Sequence, residues 1–219
     1  MTGKGDEAVR RLCDRNLVDN GLSFEGATGL KRARVVGDGA RCVCWSREYD
    51  GICGPDRAVN VGGTGKLPMT VLAEMCEAAG FSQVRTYIAS GNVVFQSDGA
   101  EDQVRSALED RLLAYAGRSV GVVLRTASEI AGALARNPFA DSPGNRVMVL
   151  FIDGPLPSDP LDGVTGVKNE QIRLGKRELF VLYPDGMAIT RLRIPSEKHG
   201  TARNMNTVAK LAEMAAAPA

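Results

Sequence analysis

Three polar clusters hold most of the side chains able to do chemistry in this sequence. The first, AVNVGGTGKLPMT at residues 58–70, sets Asn60, Gly62, Gly63, Gly65 and Lys66 just ahead of Pro68. A glycine-rich turn that runs into a helix aims unpaired N–H groups and the positive end of the helix dipole at one point, which suits an anion. Lys66 would add a cation there. A nucleoside-triphosphatase loop asks for more: a glycine five positions before Gly65 and a serine or threonine after Lys66, the hydroxyl serving magnesium. Asn60 and Leu67 stand at those positions. The motif therefore argues against triphosphate hydrolysis and leaves a simpler choice between an anion cradle and a flexible turn with a solvated lysine.

The second cluster is Ser90-Gly91-Asn92, a hydroxyl and an amide side by side. Gly-Asn is also a common two-residue hairpin turn, which accounts for Gly91 and Asn92 without any ligand. Ser90 as a nucleophile needs a base, and the only histidine is His199. The third cluster is HGTARNMNT, residues 199–207. Thr201, Asn204 and Asn206 are helix-capping types, and Arg203 offers a planar fork for phosphate or carboxylate beside a helix start. One helix start uses one cap, and this segment carries several candidates, which makes it the strongest binding site in the chain. The expected ligand set is Asn60, Gly62, Gly63, Lys66, Ser90, Asn92, Thr201, Arg203 and Asn204. No catalytic residue is assigned.

Little else invites chemistry. A lone histidine argues against a histidine-rich metal site, and the irregular spacing of Cys13, Cys42, Cys44 and Cys53 does not match a paired C-x-x-C zinc site. No metal and no cofactor are expected. Glu101, Asp102, Glu109 and Asp110 read as solvated charge on an outer helix face. Tyr87 and Phe95 lie on neighbouring strands but read as core, and the basic stretches RLGKRE and RLRIPSEK lack the interleaved aromatics of a base-stacking surface.

The elements that would position these clusters are legible from residue 57 onward. MTVLAEMCEAAG repeats apolar side chains at Leu72, Met75, Cys76 and Ala79, a helical face that Gly80 ends. VRTYIASGNVVFQS reads as a hairpin, Val84–Ala89 and Val93–Gln96. Asp98 and Glu101 read as a capping box opening a helix with Val104, Ala107, Leu108 and Leu112 inward, as far as Gly117. SVGVVLRT is a strand, and Thr126 with Glu129 caps a short helix that Asn137-Pro138 ends. With Arg57–Val61 (RAVNV) as the first strand, residues 57–126 read strand, helix, strand, strand, helix, strand, a ferredoxin-like order. Residues 127–219 repeat the ingredients less regularly: NRVMVLFID, a proline-rich loop, two strands around Gly175-Lys176, and a closing helix over TARNMNTVAKLAEMA with Met205, Val208 and Ala212 inward. Residues 1–56 show no sustained period and read as an atypical, poorly ordered or peripheral extension, with Arg41–Trp45 as their one strand.

From about Arg57 to Met214 the chain resembles the domain-of-unknown-function 1697 family. The resemblance rests on RAVNVGGTGKLPM, GFSQVRTYIASGNVVF, RNPF, YPDGM and GTARNMNTVAKLAEM, in that order. It departs at Met205, where an aromatic is expected, and ahead of Arg57, where REYDGICGPD replaces an apolar strand. The resemblance implies an α+β fold of two ferredoxin-like sandwich domains, antiparallel sheets with helices packed on one face. It supplies no activity.

Composition bounds the rest. A net charge of +1 does not suit a chain-wide polyanion binder. No apolar run approaches the roughly 18–20 residues of a spanning helix, and the N-terminus lacks the apolar core of a secretory signal. Five cysteines at irregular spacings suit a reducing compartment, so the expectation is a cytoplasmic protein without a membrane partner. The reading from sequence is a binder of an anionic small molecule or nucleotide, with a nucleic-acid backbone less well supported. A hydrolase or transferase acting on a phosphorylated compound, and a non-catalytic interaction module, are the alternatives. Oligomeric state is not legible.

Overall fold

The computed structural model describes residues 40–46, as backbone, and residues 67–217. The elements are β1 (Ala40–Ser46), α1 (Met69–Ala78), β2 (Ser82–Tyr87), β3 (Asn92–Ser97), α2 (Glu101–Ala116), β4 (Val122–Thr126), α3 (Ala127–Ala135), β5 (Val147–Ile152), β6 (Gln171–Leu174), β7 (Glu178–Leu182), a 3-10 turn (Pro195–His199), β8 (Gly200–Asn204) and α4 (Met205–Ala216). They build two four-stranded antiparallel sheets, ordered β2-β3-β1-β4 and β6-β7-β5-β8. In each, the first strand lies between the third and the fourth. Arg57–Val61, expected as the first strand, lies outside the described residues. The inner place is held by β1, which contains the expected Arg41–Trp45 strand.

Period-two alternation distributes the strand residues between two cores. Val93, Phe95, Val122 and Leu124 face α1 and α2, meeting Leu72, Cys76, Val104, Leu108 and Leu112. Phe81 stacks on Phe95 with ring centroids 4.4 Å apart. Val94 and Val123 point the other way, into a second core with Ile130 of α3, Val208 and Leu211 of α4, and Val147, Val149, Phe151 and Phe180 of the second sheet. The expectation of helices on one face is therefore corrected: the first sheet is covered on both faces. Helices α3 and α4 form a middle layer whose apolar sides serve both sheets.

The β5–β6 connection carries no helix. Pro155, Pro157 and Pro160 remove backbone donors that a helix would use. This connection joins the β7–β8 connection through paired Thr165 and Arg193.

Three local expectations are corrected by the capping and turn geometry. Helix α2 starts at Glu101 after Ala100, and Gln103 Oε1, not Asp98, accepts a backbone N–H there, that of Ala100. Gly91 lies in a turn of Ile88–Gly91, while Asn92 is the first residue of β3, paired with Tyr87. Gly200–Asn204 is strand rather than helix, so Asn204 alone caps α4, accepting from Thr207 N at 2.9 Å. Elsewhere the caps follow the sequence: Thr126 Oγ1 accepts from Glu129 N, and Glu129 returns the bond to Thr126 N.

Candidate functional site

Asn92 begins β3 two residues before Val94 and so shares its face, toward the core between the sheets. The side chain is completely buried. A buried amide must satisfy both ends, and it does so on the preceding turn. Nδ2 donates to Tyr87 O at 2.9 Å and to Ser90 Oγ at 2.8 Å. The hairpin turn is thus tied from within.

From the second sheet, β8 brings Thr201 opposite Phe151 and Arg203 opposite Val149. Directly opposed residues share a face, so both side chains rise toward the same core. Arg203 then crosses to the first sheet. Nε donates to Asn92 Oδ1 at 2.7 Å and Nη2 to Ser90 O at 2.8 Å, while Nη1 donates to Thr201 Oγ1 and to Ala202 O, each at 2.7 Å. All of these acceptors are neutral oxygens. They fix the guanidinium in direction.

The structure thus brings together Ser90, Asn92, Thr201 and Arg203, two clusters about 110 residues apart in sequence. It does not bring in Asn204, which sits opposite Met148 on the other face of β8 and is occupied as a cap. Asn60, Gly62, Gly63 and Lys66 lie outside the described residues.

The chemistry open to this cluster follows from proton bookkeeping. Ser90 Oγ accepts from Asn92, and among the described residues its own hydrogen has no acceptor. A hydroxyl that accepts one bond becomes a better donor of the next. It is not thereby a nucleophile, since no described base reaches it. His199 is exposed and ends the 3-10 turn four residues before Arg203, about 13 Å along an extended strand. The arrangement sets a fixed guanidinium beside a hydroxyl donor.

Sequence reasoning missed a second crossing between the sheets. Arg125 on β4 is buried and donates to Ile152 O of β5 and to Arg177 O in the turn before β7. Arg177 in turn bonds Glu101 and Glu129, and Arg105 bonds Glu101 and Asp153. Burial, with the charge of Arg177 added, pulls the Arg125 guanidinium down to about 10, so it stays charged at neutral pH. Burial pushes the Glu101 carboxyl up, but its bond to Arg177 and the charges of Arg177 and Arg105 outweigh that and hold it below the ordinary range. Glu101 and Glu109 are therefore not merely solvated: Glu109 Oε1 accepts from Val122 N. The available signal was an arginine at an inward position of the apolar strand VVLRT. Among the described residues, no cluster of metal-ligating side chains converges.

The family described as "Protein of unknown function (DUF1697)" matches residues 57–180. Among solved structures the chain is similar to the conserved bacterial protein SP0830 from Streptococcus pneumoniae. The two are 23% identical, with 80% of this chain and 98% of that one covered and a TM-score of 0.64. At that identity the likeness speaks for the fold alone. No curated protein matches the chain. Among the described residues no helix is long and apolar enough to cross a membrane.

Proposed function

The chain belongs to the family of proteins of unknown function DUF1697, and we propose from its own geometry that it binds an anionic small molecule, such as a phosphomonoester or nucleotide, at Ser90 and Arg203. One observation carries this reading: the Ser90 hydroxyl, whose hydrogen has no acceptor among the described residues, stands beside a half-buried guanidinium fixed by oxygens of both sheets. Preorganised charge of this kind favours an anion because the ligand need not order the side chains itself. Lys66, next to buried Leu67 and three residues before α1, is the second cation of the proposal on sequence grounds.

The near-zero net charge favours a small anion over a nucleic-acid backbone. A hydrolase or transferase built on Ser90 gains no support from the site, because the partner of its oxygen is a donor rather than a base. The strand orders support a ferredoxin-like reading of both sheets, with the division near residue 126, but such sheets host many functions and do not choose among them.

The test is a backbone-amide NMR titration of the full chain with inorganic phosphate and with adenosine monophosphate. Saturable shifts at Ser90, Asn92 and Arg203 are expected. Arg203→Lys, which cannot fork, and Ser90→Ala should each weaken binding about tenfold. Absence of saturable shifts at those amides, or affinities unchanged in both variants, would overturn the proposal.

A further inference from the structure

The charged crossing between the sheets divides sharply by burial. Arg125 is 2% exposed and donates to three backbone oxygens: Nη1 to Leu124 O, and Nη2 to Ile152 O at 2.5 Å and Arg177 O at 2.9 Å. Its guanidinium also lies over the Phe151 ring, 5.6 Å from the centroid. The other members bond through charge at the rim, with side chains 18–41% exposed. Arg177, in the turn before β7, bonds Glu101 at the start of α2 at 2.9 Å and Glu129 in the first turn of α3 at 3.0 Å. Arg105 of α2 bonds Glu101 at 2.8 Å and Asp153, just past β5, at 2.5 Å.

These two kinds of contact respond differently to the solvent. Bonds to buried backbone oxygens lie out of reach of mobile ions, whereas ion pairs open to water are screened, the Debye length falling from about 10 Å at 0.1 M salt to about 3 Å at 1 M. Each exposed pair contributes little alone. Here, however, Arg177–Glu101, Arg177–Glu129 and Arg105–Asp153 all join the same end of the second sheet to the helices α2 and α3. The apolar cluster of Ile130, Val149, Phe180, Val208 and Leu211 holds the sheets together without them.

We infer that the ion pairs of Arg177 and Arg105 form a latch: when they are screened or cut, the β6–β7 turn and the end of β5 lift from the starts of α2 and α3 and admit water to Arg125, while the apolar core stays folded. The molecule carries its own reporter of this opening. Arg125 Nε is buried and has no acceptor among the described residues, so its N–H is kept from water by burial and not by a hydrogen bond. The latch is independent of the anion reading of Ser90.

The test is hydrogen exchange of the Arg125 Nε–H in the full chain, followed by NMR beside the Leu211 amide of α4, each corrected for its intrinsic rate. The Nε–H should be protected, yet open more often than Leu211 and with little dependence on urea, the mark of a local opening. Raising NaCl from about 0.1 M to about 1 M should increase that opening roughly fivefold. Glu101→Gln, which cuts one crossing pair, should raise it by a similar factor and leave a smaller response to salt. Asp153→Asn cuts another and should do the same, which guards against a poorly folded Glu101→Gln. An Nε–H unprotected in wild type, one that shares the opening frequency and urea slope of Leu211, or one indifferent to salt and to both variants, overturns the latch.

Discussion

The contact between Asn92 and Arg203 makes the most exacting prediction. Asn92→Ala removes the amide that donates to Tyr87 O and Ser90 Oγ and that accepts from Arg203 Nε. A buried polar group left without a partner costs about 1–3 kcal/mol. Tyr87 and Ser90 are half-buried, so water recovers part of the loss, and a total near 3 kcal/mol is expected. Arg203→Ala strips the same joint from the other side and should cost a similar amount. Because both act on one network, the double variant should fall short of the sum by at least about 1 kcal/mol. Asn92→Asp separates charge from geometry: it offers Arg203 a carboxylate but cannot donate to Tyr87 O, which would then face a negative oxygen. It too should be destabilised. Urea unfolding of the full chain, followed by circular dichroism with m compared across variants, measures all four. Additivity within about 0.5 kcal/mol, or an Asn92→Asp variant as stable as wild type, would refute the view that this joint couples the sheets.

Other sites make sharper single tests. Glu101 has a carboxyl pKa below its ordinary 4.5 in the folded state, so it stabilises the fold above the unfolded carboxyl range and loses that contribution as pH falls through the lowered value. Glu101→Gln should therefore be less stable than wild type at neutral pH and show a shallower loss of stability below about pH 4, read from acid unfolding curves. Burial, with Glu77 beside it, pushes the Cys76 thiol up to about 12, so peptide-mapped alkylation should modify it only after unfolding. Labelling of Cys76 in the native state would contradict its burial. A Cβ at Gly200 would lie 2.4 Å from Phe151 O. Gly200→Ala should thus cost about 2 kcal/mol of stability by thermal or urea unfolding, through a displaced β5–β8 pairing.

Much of the fold was legible because period and punctuation are local. The spacing of Leu72 and Cys76, the left-handed glycines Gly80 and Gly117, and the Thr126–Glu129 box each act within a few residues, and the structure keeps them. The hairpin was legible too, though not its loop: Asn92 is a turn type by propensity, but pairing with Tyr87 makes it strand, and burial then turns its amide inward. TARN misled for a related reason. Thr201 and Asn204 are cap types, yet β5 needed an antiparallel neighbour, and pairing with Val149 and Phe151 drew Thr201 and Arg203 into a strand. The layer built of α3 and α4 had no local signal, since an apolar helix face does not say how many sheets it serves.

The sequence by itself determined most of the element types, the Thr126–Glu129 cap, the family motifs and the residue chemistry of the candidate site, because these depend on neighbours along the chain. That Ser90 and Asn92 meet Thr201 and Arg203, that Asn204 does not join them, and that Arg125 forms a second crossing were decided only by tertiary structure. The physical reason is that strand register selects the face each side chain takes, and the packing of two sheets on a shared helical layer selects which faces meet.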